Sequence, residues 1–277
     1  MEILWDVLSS AMMLPAFAAV FALLEWLVPE RRGSLWRKAT IVDIFFYLLG
    51  PAVVHTATLV IEKLSGAITG PLLPEALARF SHGIGAVASL PIWAQVIAVA
   101  LLHDFVGYWV HRWMHGPLLW PIHSAHHTSA QVNWASLFRL HPLDSIFLHI
   151  CRTLPLVLIG FSPAALAIYG TFFGLWGMVV HANVKLPMGP LRWILVSPIH
   201  HHRHHALLGE GEHGKNYAAV FSFWDRIFGT LDAKLEFPSA YGLSPQPPEA
   251  VGSLLAGPFV MWREAIRRRG RGGATEC

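Results

Sequence analysis

Charged residues are scarce in this chain of 277 residues. Aspartate, glutamate, lysine and arginine make up 13% of it, hydrophobic residues make up 54%, and the mean hydropathy is +0.48. Because soluble domains carry about 25% charged residues, the composition excludes an ordinary soluble protein and predicts an integral membrane protein. The small net charge of +3 gives no reason to expect a nucleic-acid partner.

Cysteine is also rare. The chain has two, Cys151 in an apolar run and Cys277 at the last position. Two such thiols define no disulfide framework, and they cannot supply the cysteines that structural zinc sites usually recruit. They form no CxxCH motif for covalent haem, and the HExxH motif of zinc peptidases is absent too. Metal or redox chemistry must therefore depend on other side chains.

Histidine, by contrast, is abundant and clustered. Eleven of the seventeen histidines lie in two stretches, six within 103–127 and five within 200–205. So many costly polar groups close to apolar segments predict a shared metal site, and neutral imidazole suits iron, zinc, copper or nickel. Eight of them form an HxxxH, HxxHH, HxxHH series. These are His111, His115, His123, His126, His127, His201, His204 and His205.

The spacing of this series predicts how the imidazoles are presented. His111 and His115 lie near the predicted end of a helix, where a four-residue spacing places them on one face about 6 Å apart. Each HxxHH trio can present three nitrogens to one side of a helical turn. Eight imidazoles suggest two metal ions with about four ligands each. The interleaved His200 and His202 are expected to face solvent or to support ligands.

Some further side chains are candidates for holding the imidazoles, because metal-bound histidines generally donate their second N–H to a carboxylate or carbonyl. These candidates are Asp104, Asp144 and Asp225. His141 is expected to support the site or the structure, with direct metal ligation as the alternative. Asp104 is about 10 Å along the helix from His111, so we expect it to orient a histidine of the second stretch. Asp225 either supports the site or forms a helix-end ion pair with Arg226.

Apolar runs long enough to span a membrane cover 7–24, 44–61 and 84–102. A further 28 residues without charge, 153–180, are interrupted at Gly160 and Pro163. Because both histidine stretches must reach the same side, an even number of crossings must separate them, which predicts a helical hairpin at about 146–180. The expected fold is an all-α membrane bundle of about four spans or partial spans, with a histidine-rich di-metal cap.

Basic residues indicate the orientation. They follow the first run, follow the third run and close the chain, at Arg31, Arg32, Arg37, Lys38, Arg112, Arg139 and 267–271. The loop after the second run has only Lys63 and Arg79, offset by Glu62 and Glu75. The positive-inside rule therefore predicts cytoplasmic histidines and an external N-terminus. We expect transmembrane helices in 1–102, a metal-binding domain in 103–235, and an interfacial segment with a basic tail in 236–277.

Over roughly 104–230 the sequence resembles the fatty acid hydroxylase/sterol desaturase superfamily of membrane di-iron oxygenases. The resemblance is carried by DFVGYWVHRWMH, HSAHH, FRLHPLD, HANV, SPIHHHRHH and KNYAAVFSFWDRIFGT. It implies that the eight histidines of the series are iron ligands and that His181 is a ninth. Some members carry another histidine four residues later, where this chain has Lys185.

The resemblance also implies an activity. Its members use two iron ions and O₂ to hydroxylate or desaturate a lipid C–H bond in lipid or sterol metabolism. The two electrons would come from a separate reductase, ferredoxin, cytochrome or pterin. The alternative is a membrane protein that binds or transports metal without redox chemistry, although a transporter would place ionisable residues within several spans.

Overall fold

The computed structural model of the protein describes residues 2–32, 38–69, 85–207 and 214–272. Within these ranges the chain is helical, and the contacts of strand type are two isolated bridges, Pro29 with Val184 and Ala206 with Tyr241. Arg37 and Arg79, two of the basic residues from which the membrane orientation is predicted, lie outside the described ranges. The helices are α1 Glu2–Leu27, α2 Lys38–Thr69, α3 Gly85–Ala88, α4 Ile92–Met114, α5 Trp120–His123, α6 Pro142–Ile159, α7 Pro163–His181, α8 Pro198–His204, α9 Phe223–Ile227 and α10 Val251–Gly272.

Five of these helices are long and apolar enough to cross a membrane. They are Ile3–Leu27, Ala39–Ile68, Ile92–Met114, Pro142–Ile159 and Pro163–His181. An apolar stretch of about 20 residues matches the thickness of a bilayer. The all-α membrane bundle predicted from the sequence is thus confirmed, with a number of spans close to the number expected, and the chain is a multi-pass membrane protein.

The third span begins later than its apolar run predicts. The run starts at 84, whereas α4 starts at Ile92, after a break behind the short α3. Pro91 precedes the first turn of α4, as proline cannot continue a helix but fits just before one. The amide of Gln95 donates to the carbonyl of Leu90 at 2.9 Å and fixes this break. Helix α4 ends at Met114, carries His111 on its last turn and is followed directly by His115.

Helices α6 and α7 form a hairpin. Helix α6 ends at Ile159, and Gly160 caps it. The φ of Gly160 is 99°, a left-handed conformation that glycine adopts without strain. The hydroxyl of Ser162 then accepts the N–H of Ala165 and caps α7. The N–H of Ser162 donates to the side chain of Gln95 at 3.0 Å, which attaches the turn to the start of α4. The hairpin returns the chain to the end of the bundle where α4 ends.

An arginine with no exposed surface holds three segments together at that end. Arg139 donates to the carboxylates of Asp43 at 2.6 Å and Glu249 at 2.9 Å, and to the carbonyl of Ala39. These partners come from α2 and from the segment just before α10. Arg139 was counted among the basic residues that set the orientation. Its guanidinium is committed to these buried ion pairs, so its role is structural.

Candidate metal centre

Nine buried or half-buried imidazoles converge in two clusters at the end of the bundle where α4 and α7 end. In each cluster the candidate ligand nitrogens lie within 4.8 Å of one another. The five-histidine cluster contains His111, His115, His123, His127 and His204. The four-histidine cluster contains His126, His181, His201 and His205. All nine histidines singled out in the sequence, including the ninth suggested by the resemblance, belong to one of the two.

The two HxxHH trios are each divided between the clusters. His123 and His127, four residues apart, point into the five-histidine cluster, and His126 points into the other. In the second trio the division is reversed, since His204 alone joins the five-histidine cluster. The expectation that the three imidazoles of one trio face the same side was wrong. In the second trio, successive residues at the end of α8 diverge by about 100°, so His204 and His205 face different clusters.

The outward nitrogens of several cluster histidines donate to fixed acceptors. Such bonds keep the proton on Nδ1 and leave Nε2 as a bare lone pair. The bonds join His111 to the carbonyl of Tyr217 at 2.7 Å, His123 to the carboxylate of Asp144 at 2.8 Å, His181 to the carbonyl of Gly177 at 2.7 Å, and His204 to the carbonyl of Lys215 at 2.9 Å.

In the five-histidine cluster, two inward nitrogens face each other with no proton between them. The Nε2 atoms of His111 and His123 are 3.1 Å apart, although both rings already donate through Nδ1. Those of His181 and His201 are 2.9 Å apart. Burial lowers the pKa of His123 and of His201, and the neighbouring histidines lower it further, so these rings are neutral. Opposed lone pairs repel unless a cation lies between them, so the donor set fits a metal ion.

The carboxylates that support the clusters differ from the expectation in one case. Asp144 contacts a cluster histidine directly, through the bond from His123. Asp104 does not. Its carboxylate accepts the backbone N–H groups of Ala219, Val220 and Phe221 at 2.7–3.2 Å, and it therefore fixes a loop. The expectation that it orients a histidine of the second stretch was wrong, because the backbone of this loop occupies the position next to the carboxylate.

Asp225 acts through the backbone of Tyr217. Its carboxylate accepts the N–H groups of Tyr217 at 2.7 Å and Ala218 at 3.0 Å, and the carbonyl of Tyr217 in turn accepts from His111. Burial raises the pKa of Asp225 to about 6, and these hydrogen bonds oppose the shift. The guanidinium of Arg226 lies over the ring of Trp193 at 5.6 Å, so the helix-end ion pair is not formed.

The other histidines that the structure describes lie outside the clusters. His141 caps α6, accepting from the N–H of Leu143 and donating to the carbonyl of Leu255. His200 and His202 are 1% and 0% exposed. Of the two alternatives expected for them, facing solvent is therefore wrong, and supporting the ligands stays a prediction. His202 bonds to the hydroxyl of Tyr241 and to the carbonyl of Ala182, next to a cluster histidine.

Sequence reasoning missed Glu25. This residue of α1 is 4% exposed, and its Oε1 accepts the N–H groups of Trp134 at 3.1 Å and Asn183 at 3.0 Å. Trp134 follows the first histidine stretch and Asn183 follows His181, so one carboxylate fixes backbone close to the four-histidine cluster. A carboxylate at the end of a long apolar run was the available signal.

A bundle of apolar helices capped by two buried imidazole clusters defines a membrane protein whose histidines could hold metal ions. Residues 96–230 match the family model described as fatty acid hydroxylase. This domain belongs to the fatty acid hydroxylase/sterol desaturase superfamily, and the resemblance seen in the motifs is confirmed. No solved structure matches the chain significantly.

Curated relatives carry the same kind of name. Human alkylglycerol monooxygenase is 36% identical over 144 residues, which are 51% of this chain and 31% of that protein. Ornithine lipid hydroxylase OlsE of Rhizobium tropici is 30% identical over 218 residues, 77% of this chain and 64% of that protein. Rat methylsterol monooxygenase 1 is 29% identical over 147 residues, 51% and 49% of the two chains. The chain thus spans less than two thirds of each. Their names support an oxidoreductase and do not favour the metal-transport alternative.

Proposed function

We propose that the protein is an O₂-dependent di-iron enzyme that hydroxylates or desaturates a C–H bond of a membrane lipid. One observation carries the proposal: inward Nε2 atoms lie about 3 Å apart in two buried clusters, and those of His111 and His123 both lack a proton because each ring donates through Nδ1. The names of the relatives refer to alkylglycerols, an ornithine lipid and methylsterols. These are membrane lipids of different kinds, so the class of substrate we propose is a lipid and the bond is a C–H bond.

In this proposal the two clusters are two iron sites. The five-histidine cluster would hold one ion and the four-histidine cluster the other, and iron is among the metals that neutral imidazole suits. When bound, the irons would supply the activation of O₂. The protein orients the ligands through the Nδ1 bonds to Asp144 and to the three carbonyls, and such outer bonds fix the tautomer and strengthen the ligand.

The surroundings of the clusters exclude water. The ring of His115 lies 5.2 Å from that of Trp120 and 5.1 Å from that of Tyr217, centroid to centroid. Eight of the nine cluster histidines are 2–7% exposed. A dry cavity protects reactive oxygen chemistry from side reactions. An apolar substrate dissolved in the membrane can reach such a site without crossing water.

The electrons are proposed to come from a separate protein or small reductant. A dinucleotide-binding unit requires a strand, a glycine-rich turn and a helix, and the described ranges contain no strand of that kind. We also propose that the clusters lie on the cytoplasmic side. Arg31 and Arg32 follow α1 at the cluster end of the bundle, and the positive-inside rule assigns such an end to the cytoplasm.

The test is metal analysis followed by isotope labelling. The protein is produced with iron-57 and purified in mild detergent without added metal, and its metals are counted by plasma mass spectrometry and examined by Mössbauer spectroscopy. We expect close to two irons per chain with a coupled diferric signal. With a reductant, ¹⁸O₂ and membrane lipids, a hydroxylase places ¹⁸O in the lipid, whereas a desaturase gives a lipid lighter by two hydrogens. One tightly held zinc and unchanged lipids would contradict the proposal.

A further inference from the structure

We infer that a cavity between α1, α2 and the start of α6 binds an alkyl chain of the lipid substrate; the inference rests on the function proposed above. The cavity has a volume of about 540 Å³, within the range of sites that hold small molecules. It lies within the span region of the bundle, apart from the two histidine clusters, and none of the cluster histidines lines it.

The cavity is long and follows one helix. Residues of α2 from Phe46 to Thr58 line it, and at a rise of 1.5 Å per residue this stretch is about 18 Å long. Phe46, Leu49 and Val53 supply apolar walls, and Phe138 approaches from the segment before α6. A narrow apolar space of this length in a membrane protein suits an extended hydrocarbon chain, because burial of apolar surface is what such walls can contribute.

One end of the cavity lies next to Asp144, the carboxylate that holds His123 of the five-histidine cluster. Leu140 and Ser145 line it there, and Ser145 directly follows Asp144, whose carboxylate accepts from His123. At the other end, Nδ1 of His55 lies 3.3 Å from the carboxylate of Asp6. A chain in the cavity would therefore run from beside the cluster toward the opposite end of the bundle.

The polar groups of the walls offer little to a polar ligand. The hydroxyl of Tyr47 donates to the carbonyl of Ser10 at 2.8 Å. The hydroxyl of Thr58 donates to the carbonyl of Val54 at 3.0 Å, and His55 is paired with Asp6. Because Tyr47, Thr58 and His55 already have partners inside the protein, a polar ligand would gain little from these three groups to replace its hydrogen bonds to water. A hydrocarbon chain loses none.

Gly50 offers a direct way to fill the cavity. It lines the space, and a Cβ added there would meet nothing within 4 Å. Gly50→Leu therefore places a side chain in the cavity. Gly174→Leu in α7 is the matched control, since a Cβ at Gly174 also meets nothing within 4 Å but the residue does not line the cavity. Val54→Phe is a second filling variant, with Val20→Phe, an exposed position outside the cavity, as its control.

The experiment combines chain-length preference with photolabelling. Turnover of lipids with long and short alkyl chains is measured for all four variants. A lipid with a diazirine near the chain terminus is crosslinked to the iron-loaded protein, and the labelled peptides are mapped. We expect labelling of 46–58, loss of that labelling in both filling variants, and a fall of about tenfold or more in kcat/KM for the long chain relative to the short one, the factor given by ~1.4 kcal/mol. The two controls should behave as the wild type.

Two results would overturn the inference. One is labelling confined to other helices. The other is wild-type chain-length preference in Gly50→Leu and Val54→Phe when both retain their iron. Photolabelling and iron content do not require turnover, so a protein that labels at 46–58 but oxidises no lipid would contradict the proposed function and leave the alkyl-chain site standing.

Discussion

Nδ1 of His123 donates to Oδ2 of Asp144 at 2.8 Å, and the two side chains are 2% and 0% exposed. This bond joins the five-histidine cluster to the first turn of α6, the same turn that reaches the proposed alkyl-chain cavity through Ser145. The position of the cluster and the position of the membrane hairpin are thus coupled through one hydrogen bond.

Replacing Asp144 should weaken metal binding without removing a ligand. Asp144→Asn keeps the shape and an acceptor oxygen but loses the charge that strengthens His123 as a ligand. We expect iron affinity to fall by about 10–100-fold, the range typical of such outer partners, and Asp144→Ala to lose more. The measurement is iron retained during titration with a chelator. Retention equal to the wild type in both variants would show that the bond has no role in metal binding.

Two adjacent histidines should give different metal losses. His126→Ala leaves three imidazoles in the four-histidine cluster, whereas His127→Ala leaves four in the five-histidine cluster. We expect the first variant to retain about one iron of two and the second to retain more, because a fourth nitrogen remains for its ion. Iron content with Mössbauer spectra distinguishes the two sites. Equal losses from both sites in each variant would contradict the division of the pair.

His200→Leu is the control for these variants. His200 is 1% exposed, belongs to neither cluster, and has no side-chain hydrogen bond to any part of the chain that the structure describes. Leucine is a similar apolar filler, and a buried polar group without partners costs free energy. We expect full iron content and a melting temperature equal to or above that of the wild type. Loss of iron here would show that histidine substitutions in α8 disturb the site unspecifically.

Removing Arg139 alone should lower the free energy of unfolding more than removing Arg139 and Asp43 together. Arg139→Met leaves the fully buried carboxylate of Asp43 without the guanidinium, and breaking a buried pair from one side costs about 3–5 kcal/mol. Arg139→Met combined with Asp43→Leu removes both charges, and we expect it to recover a large part of that loss. Thermal unfolding in detergent measures both. A double variant less stable than the single one would contradict this account.

Glu25 should tolerate glutamine far better than alanine. Both N–H donors, those of Trp134 and Asn183, use the same oxygen, Oε1, which the amide of Glu25→Gln can supply. Glu25→Ala leaves both donors buried, at a cost of about 1–3 kcal/mol each. We therefore expect a small change in unfolding free energy for the first variant and a large one for the second. Equal destabilisation would indicate that the charge, and not the acceptor, is what matters.

The sequence alone predicts much of the fold, because spanning segments must be apolar over about 20 residues. The hairpin was visible in Gly160 and Pro163, the residues that end α6 and begin α7. The start of α4 was misplaced, since residues before Pro91 are as apolar as those after it. Histidine spacing singled out the imidazoles that converge in the clusters.

The division of the histidines was beyond the sequence. The HxxHH of 123–127 is not one helix, since α5 ends at His123 and a separate 3-10 turn begins at His126. The partners of Asp104 were equally hidden, because they are backbone N–H groups more than a hundred residues away. Backbone donors are present at every residue except proline, so no side-chain pattern marks the ones that meet a distant carboxylate.

The distribution of the clusters along the chain implies an order of assembly. Four imidazoles of the five-histidine cluster come from His111–His127, so they are synthesised before the α6–α7 hairpin, and His204 alone arrives later. The four-histidine cluster takes only His126 from that early stretch. Chains emerge from the ribosome with the N-terminal part first, so the first cluster can begin to gather its nitrogens while the hairpin is still unmade. The second cannot close until both arms of the hairpin have inserted and α8 has been translated.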